Sequence, residues 1–142
     1  MRKFLTFLLL AACVFALVGC GGAADGGVSI DYGDSALYSK ADLDAAIAAI
    51  EAEFQTWEGC ELHSLRYGSD EMCSSENLDW MNALEAANDN AEVFSQCLMF
   101  YSDFHSPKAG GGAWEPDAEY RDWQWWLARS EGGAWKLMTW GY

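Results

Sequence analysis

The stretch Asp122-Trp123-Gln124-Trp125-Trp126-Leu127-Ala128-Arg129, followed by Ser130-Glu131-Gly132-Gly133 and then Trp135-Lys136-Leu137-Met138-Thr139-Trp140-Gly141-Tyr142, decides the fold. Two aromatic-rich runs flank a short turn whose glycines can take positive φ, which predicts an antiparallel hairpin over Tyr120–Arg129 and Trp135–Tyr142. With Arg129 facing Ala134 across the turn, Trp123, Trp125, Leu127, Met138 and Trp140 share one face. Trp126, Trp135 and Leu137 then share the other. A one-residue slip would reshuffle these pairs but leave indoles on both sides. One face can pack on helices; the other must be covered or stay unusually apolar for a surface.

Upstream lie the elements that could cover it. Ser39 can cap a helix, with Asp42 three residues on as the acidic half of a capping box. Leu43, Ala46, Ile47, Ile50, Phe54 and Trp57 keep one apolar stripe in line, and Gly59 is a stop. Cys60–Tyr67 lacks a helical period and reads as a strand. Ser74 opens a second helix through Leu78, Met81 and Leu84 to Ala87, broken by Asn88-Asp89-Asn90. Val93–Phe104 reads as a long strand, with Phe94, Leu98, Phe100 and Phe104 on one side and Cys97, Met99 and Tyr101 on the other. A loop spans His105–Pro116. The predicted fold is α+β: two amphipathic helices packed in a curved, mainly antiparallel sheet of about four strands.

The chain has 142 residues, 22 acidic against 8 basic, and a formal charge of −14. Half of it is hydrophobic and eight residues are Trp. That is too apolar for disorder and too short for two ordinary domains. The acidity excludes a phosphate-binding groove, so no nucleic-acid partner is expected.

Arg2 and Lys3 precede an uncharged run, Phe4–Gly19. As a helix it would reach about 24 Å, short of the roughly 30 Å hydrocarbon core, so a signal peptide suits it better than an N-terminal membrane helix. It ends Leu17-Val18-Gly19-Cys20, which resembles the lipobox of bacterial lipoproteins. The resemblance implies that Cys20 becomes the first mature residue and carries a diacylglyceryl thioether. The protein is then expected on the extracytoplasmic face of the cell membrane, held by lipid. Residues 1–19 are the leader, 20–35 a glycine-rich flexible tether and 36–142 a single domain. Loss of Arg2 and Lys3 leaves six basic residues against 22 acidic, about −16.

Cys60, Cys73 and Cys97 remain. In an oxidising compartment one pair can bridge, and Cys60 with Cys97 is the expected pair because both fall in predicted strands. No C-x-x-C spacing supports a metal, and neither metal nor cofactor is expected.

Three sets of residues could carry function. Trp123, Trp125 and Trp140 on an open face would make a binding surface for a protein, a second copy or a small ligand, since aromatics are enriched at hot spots. The same rings could stack on sugars. In a cavity, Asp103 and His105, two apart on one strand, could share a proton as acid and base beside Tyr101. A hydrogen-bonded surface pair is the plainer reading of them. Ser102 and Ser106 sit in no strand-turn-helix serine motif, and His63 reads as structural. Gly110-Gly111-Gly112 lacks the Gly-Lys-Ser/Thr of a phosphate loop. Asp31, Asp34, Asp42 and Asp44 lack calcium-loop spacing and read as a solvated acidic face.

The C-terminal half resembles NTF2-like or cystatin-like cone domains, and its two aromatic runs look like the ending of a family of small uncharacterised proteins from Gram-positive gut bacteria. That family implies no activity. The expectation is therefore an exported, lipid-anchored binding or interaction module, with a small NTF2-like pocket enzyme using Asp103 and His105 as the alternative.

Overall fold

A computed structural model describes residues 27–142. The expected leader, Cys20 and the first part of the expected tether lie outside the described residues. The elements run β1 (Ser29–Asp31), α1 (Lys40–Phe54), β2 (Glu61–Tyr67), a short 3-10 turn (Asp70–Cys73), α2 (Ser75–Ala87), β3 (Gln96–His105), β4 (Glu119–Arg129) and β5 (Lys136–Gly141). The five strands form one open mixed sheet in the order β1-β2-β3-β4-β5. Only β1 is parallel to its neighbour, and α1 makes the β1-to-β2 connection that parallel pairing requires. The α+β class holds, with one strand more than expected. That strand corrects the tether: Ser29–Asp31 pairs with Ser64–Arg66, and Val28, Ile30 and Tyr32 pack on the core.

Helix α1 forms as its caps and period dictate. Ser39 Oγ accepts from the Asp42 N–H, the Asp42 carboxylate accepts from the Ser39 N–H, and Leu43, Ala46, Ile47, Ile50 and Phe54 are buried. The helix ends at Phe54, so Trp57 falls in the turn beyond it, and Gly59 takes φ 78°. Ser74 caps α2 by accepting from the Asn77 N–H at 3.2 Å.

The helices do not share a face. Leu98, Phe100, Trp125 and Leu127 pack with α1, whereas Cys97, Met99, Trp126 and Ala128 pack with Met81 and Leu84 of α2. These sets alternate along β3 and β4, so they point to opposite sides of the sheet. Each helix covers one side, making three layers rather than a sheet wrapped around a helix pair. The physical reason is that β3 and β4 are apolar on both faces over Cys97–Phe100 and Trp125–Ala128, and one helix cannot cover two faces. Phe94 belongs to the α2 side, not with Leu98 and Phe100, because β3 starts only at Gln96. Asn82 holds Phe94 there, accepting from its N–H at 2.7 Å and donating to its carbonyl at 3.1 Å.

The hairpin register also differs. Ala128 pairs with Lys136 and Leu127 with Leu137, whereas Trp126 pairs with Thr139 and Trp125 with Trp140. Met138 is therefore an extra residue, a bulge that puts its side chain on the α2 side and leaves Leu137 on the α1 side. Trp135 precedes β5 and turns onto α1, where its Nε1 donates to the Asp42 carbonyl at 2.9 Å. The Arg129 guanidinium lies 4.2 Å from the Trp135 ring and pairs with Asp42 at 3.0 Å.

Candidate ligand-binding cleft

The aromatic residues of the hairpin meet those of other elements at one end of the α1 side. Trp57 is the hub: its ring stacks on Trp125 at 4.9 Å and 25° and lies within 6.1 Å of Phe54, Phe104, Trp114, Trp123 and Trp140. Trp125 is fully buried, its Nε1 donating to Ser102 Oγ at 2.8 Å. Trp123 is half-buried between Trp114, Tyr120 and Tyr142, and its indole N–H has no hydrogen-bond partner among the described residues. The expected flat surface of Trp123, Trp125 and Trp140 is thereby corrected. They share a side, but it is the side that α1, Trp57 and the Trp114 loop cover.

What stays open lies around the end of β5, the edge strand. Trp140 is 41% exposed, Tyr142 78%, and Trp80 on α2 42%. A shallow cleft of about 130 Å³ opens at this edge, with Trp80, Gln124, Trp126 and Thr139 on its α2 side; Trp140 and Tyr142 border it from the opposite face, where their rings meet Trp125 and Trp123. Trp80 and Trp126 meet edge-to-face at 5.2 Å, and Gln124 Oε1 accepts from Trp126 Nε1 at 3.0 Å. None of the lining side chains is ionisable at neutral pH. Trp80 went unnoticed in the sequence although it carried a signal: it sits off the Leu78-Met81-Leu84 stripe, where a large apolar side chain faces water.

A second cluster gathers where β2, β3 and β4 end. Ser64 and Asp103 pair, as do Leu62 and Phe104, so His63 is a bulge residue. That places its ring against His105, stacked at 6.4 Å between centroids. Glu119, the cross-strand partner of His105, reaches both rings: Oε1 lies 3.2 Å from His63 Nδ1 and Oε2 3.0 Å from His105 Nδ1. Asp117 Oδ1 lies 2.9 Å from His105 Nε2. Both nitrogens of His105 thus face carboxylates, and a neutral imidazole has only one N–H to give. Asp117 first, then Glu119, accordingly raise the His105 pKa above its ordinary value.

Asp103 is elsewhere engaged. Arg121 and Asp122 on β4 oppose it as a bulge, and the Asp122 N–H donates to its Oδ1 at 3.0 Å. The expected Asp103–His105 pair is therefore not formed; the bulge turns each to a different partner. Tyr101 lies under the Arg66 guanidinium at 4.4 Å, and Arg66 pairs with Asp122. Ser106 is buried as a staple, its Oγ accepting from the Ala118 N–H at 2.9 Å. Among the described residues no three His, Cys, Asp or Glu side chains are placed to hold a metal ion.

Cys60, Cys73 and Cys97 are free. Cys60 precedes Glu61, which pairs with His105 at one end of β3, and Cys97 lies eight residues away at the other end. At 3.3 Å per residue that is about 26 Å, so the expected Cys60–Cys97 bridge cannot form across a limit of about 7 Å between Cα atoms. Cys73 Sγ instead sits 3.2 Å from the Tyr67 hydroxyl.

Fold and cleft together define an α+β module with an open five-stranded sheet and an aromatic edge site. No protein-family model, curated protein or solved structure matches the chain. No helix among the described residues is long and apolar enough to cross a membrane.

Proposed function

We propose that this protein is an exported, lipid-anchored binding module that engages its ligand or partner at the aromatic cleft beside β5. The observation that carries the binding reading is the concavity on the α2 side of the β5 edge, where exposed Trp80 meets Trp126 beside Gln124 and Thr139, with Trp140 and Tyr142 exposed on the other face of the same edge. Exposed aromatic rings grouped beside hydrogen-bonding side chains are the composition of recognition sites. The anchor rests on Leu17-Val18-Gly19-Cys20 after an uncharged run. A body this acidic is repelled by an anionic membrane, so lipid on Cys20 must do the holding. Kinship with NTF2-like or cystatin-like cones belongs to the same proposal. It is supported by α1 lying across the antiparallel strands, while α2 on the far side departs from a cone closed around both helices.

Two measurements test the reading. Radiolabelled palmitate should be incorporated in the bacterial host and lost in Cys20→Ala; unchanged labelling removes the anchor. Indole N–H resonances of Trp80 and Trp126 should move with at least one member of a fragment set spanning neutral, cationic and anionic compounds, or with self-association seen by sedimentation. If no class moves them and the protein stays monomeric, the binding reading fails.

A further inference from the structure

We infer that a second site, independent of the β5 edge, takes a small amphipathic amine: a protonated primary amine carried on an apolar body. The site is a cavity of about 560 Å³ between the C-terminal end of α1 and the start of β2. That volume lies within the range of about 300–1,000 Å³ in which pockets hold small molecules. Its walls follow from the fold. Val28, Cys60 and Leu62 all pack on the α1 side of the sheet, against the core cluster that contains buried Phe54. Because β1 runs parallel to β2, Val28 falls beside the first residues of β2, and the three apolar side chains meet the last turn of the helix.

Charge decides what such a cavity accepts. Glu51, in the last turn of α1, and Glu58, in the turn that follows, stand at its rim. Neither meets a basic side chain among the described residues, where Lys40, Arg66, Arg129 and Lys136 are each paired with another acid. The helix adds to this potential from its backbone. Aligned peptide dipoles leave a partial negative charge at a helix C-terminus, and the last turn of α1 holds no basic residue to balance it. Two carboxylates and a helix end therefore concentrate negative potential beside an apolar cavity, in a chain of formal charge −14. Gln55, one helical turn beyond Glu51, offers an amide oxygen to a further ammonium hydrogen.

Other occupants match only part of this lining. A neutral apolar compound fills the floor and leaves both carboxylates unanswered, and an anion meets repulsion. The residues that precede Val28, Gly21-Gly22-Ala23-Ala24-Asp25-Gly26-Gly27, bring small side chains and an acid, so they supply neither the bulk nor the cation.

The test is a titration of the full chain with three compounds of similar shape and different charge: phenethylamine, 2-phenylethanol and 3-phenylpropionate. Methyl resonances of Val28 and Leu62 report on the cavity. Phenethylamine should shift both and bind at least about tenfold more tightly than the alcohol, and the carboxylate should leave them unmoved. Glu51→Gln and Glu58→Gln should each weaken amine binding about two- to fivefold, as loss of an exposed ion pair does, and the double variant should weaken it about tenfold. Added salt should weaken the amine and spare the alcohol. Unchanged far-UV circular dichroism shows that the variants fold. No shift with the amine up to about 10 mM, well above a millimolar Kd, overturns the assignment. So does equal binding of the three compounds, or movement of Trp80 and Trp126 in place of Val28 and Leu62. Movement of Val28 and Leu62 alone supports a site apart from the β5 cleft, whatever becomes of that cleft.

Discussion

At the scale of single residues, neighbouring tryptophans do different jobs. Trp125 is sealed and hydrogen-bonded to Ser102, so Trp125→Ala should cost about 3–5 kcal/mol in urea unfolding. Trp140→Ala, losing a ring already 41% in water, should cost no more than about 1 kcal/mol. Equal losses would mean that Trp140 is core rather than an exposed ring at the β5 edge. Trp123 adds a finer test, because its N–H is buried without a partner. Trp123→Phe removes a desolvated donor, which offsets the lost ring area, so it should destabilise less than Trp125→Phe, which breaks a made bond. His105 contributes pH dependence around neutrality. Its raised pKa means that the imidazolium is favoured in the fold. The stability it contributes is complete below the ordinary imidazole value of about 6.5 and fades as pH rises through the raised one. Proton NMR should find His105 titrating above a free imidazole and returning towards it in Asp117→Asn. A normal titration in the unmutated protein would rule the clamp out.

Among the elements, the two helices are tied to the hairpin by different chemistry. Asp42 at the start of α1 caps its own helix and also meets Arg129, while its carbonyl receives Trp135 Nε1. Ser39→Ala removes one capping bond and should cost about 1 kcal/mol. Asp42→Ala should cost more, because the box and the link to β4 go together. On the other side, Lys136 of β5 reaches the buried carboxylate of Glu85 on α2 at 2.6 Å. Lys136→Met strands that carboxylate and should cost about 2–3 kcal/mol, discounted because the lysine is 43% exposed. The double variant Glu85→Leu with Lys136→Met should recover most of the loss in the same unfolding assay. Failure to recover would show that Lys136 acts through its aliphatic stem rather than its charge.

For the whole molecule, the consequence of the fifth strand is a different domain boundary. Val28, Ile30 and Tyr32 pack on the α1 core and β1 extends the sheet beyond β2, so the folding unit includes residues that composition alone assigns to the tether. A fragment of residues 36–142 should unfold at a lower urea midpoint and with a smaller m-value than one of residues 27–142, since it exposes less new surface on unfolding and lacks an edge. Coincident curves would return Ser29–Asp31 to the tether. The three-layer arrangement also explains why the hairpin carries rings on both faces: each meets its own helix, and only the β5 end outruns the cover.

Sequence alone determined the helices, their caps, the long strands, the hairpin turn and the acidity that turns anions away. These depend on side-chain period and on hydrogen bonds reaching three or four residues, which a linear text preserves. It did not reveal β1, whose three residues have too little pattern to stand apart from a glycine-rich tether and pair only with a strand formed more than thirty residues later. Bulges at His63, Met138 and Asp122 were equally hidden, and each shifts alternation by one, so faces assigned by counting invert beyond them. That is why Leu137 and Met138 changed sides and why His105 meets Glu119 and Asp117 in place of Asp103. Tertiary structure decided which indole is sealed and which meets water, because burial is a property of what packs opposite, and α1 and α2 could choose their faces only once the sheet existed.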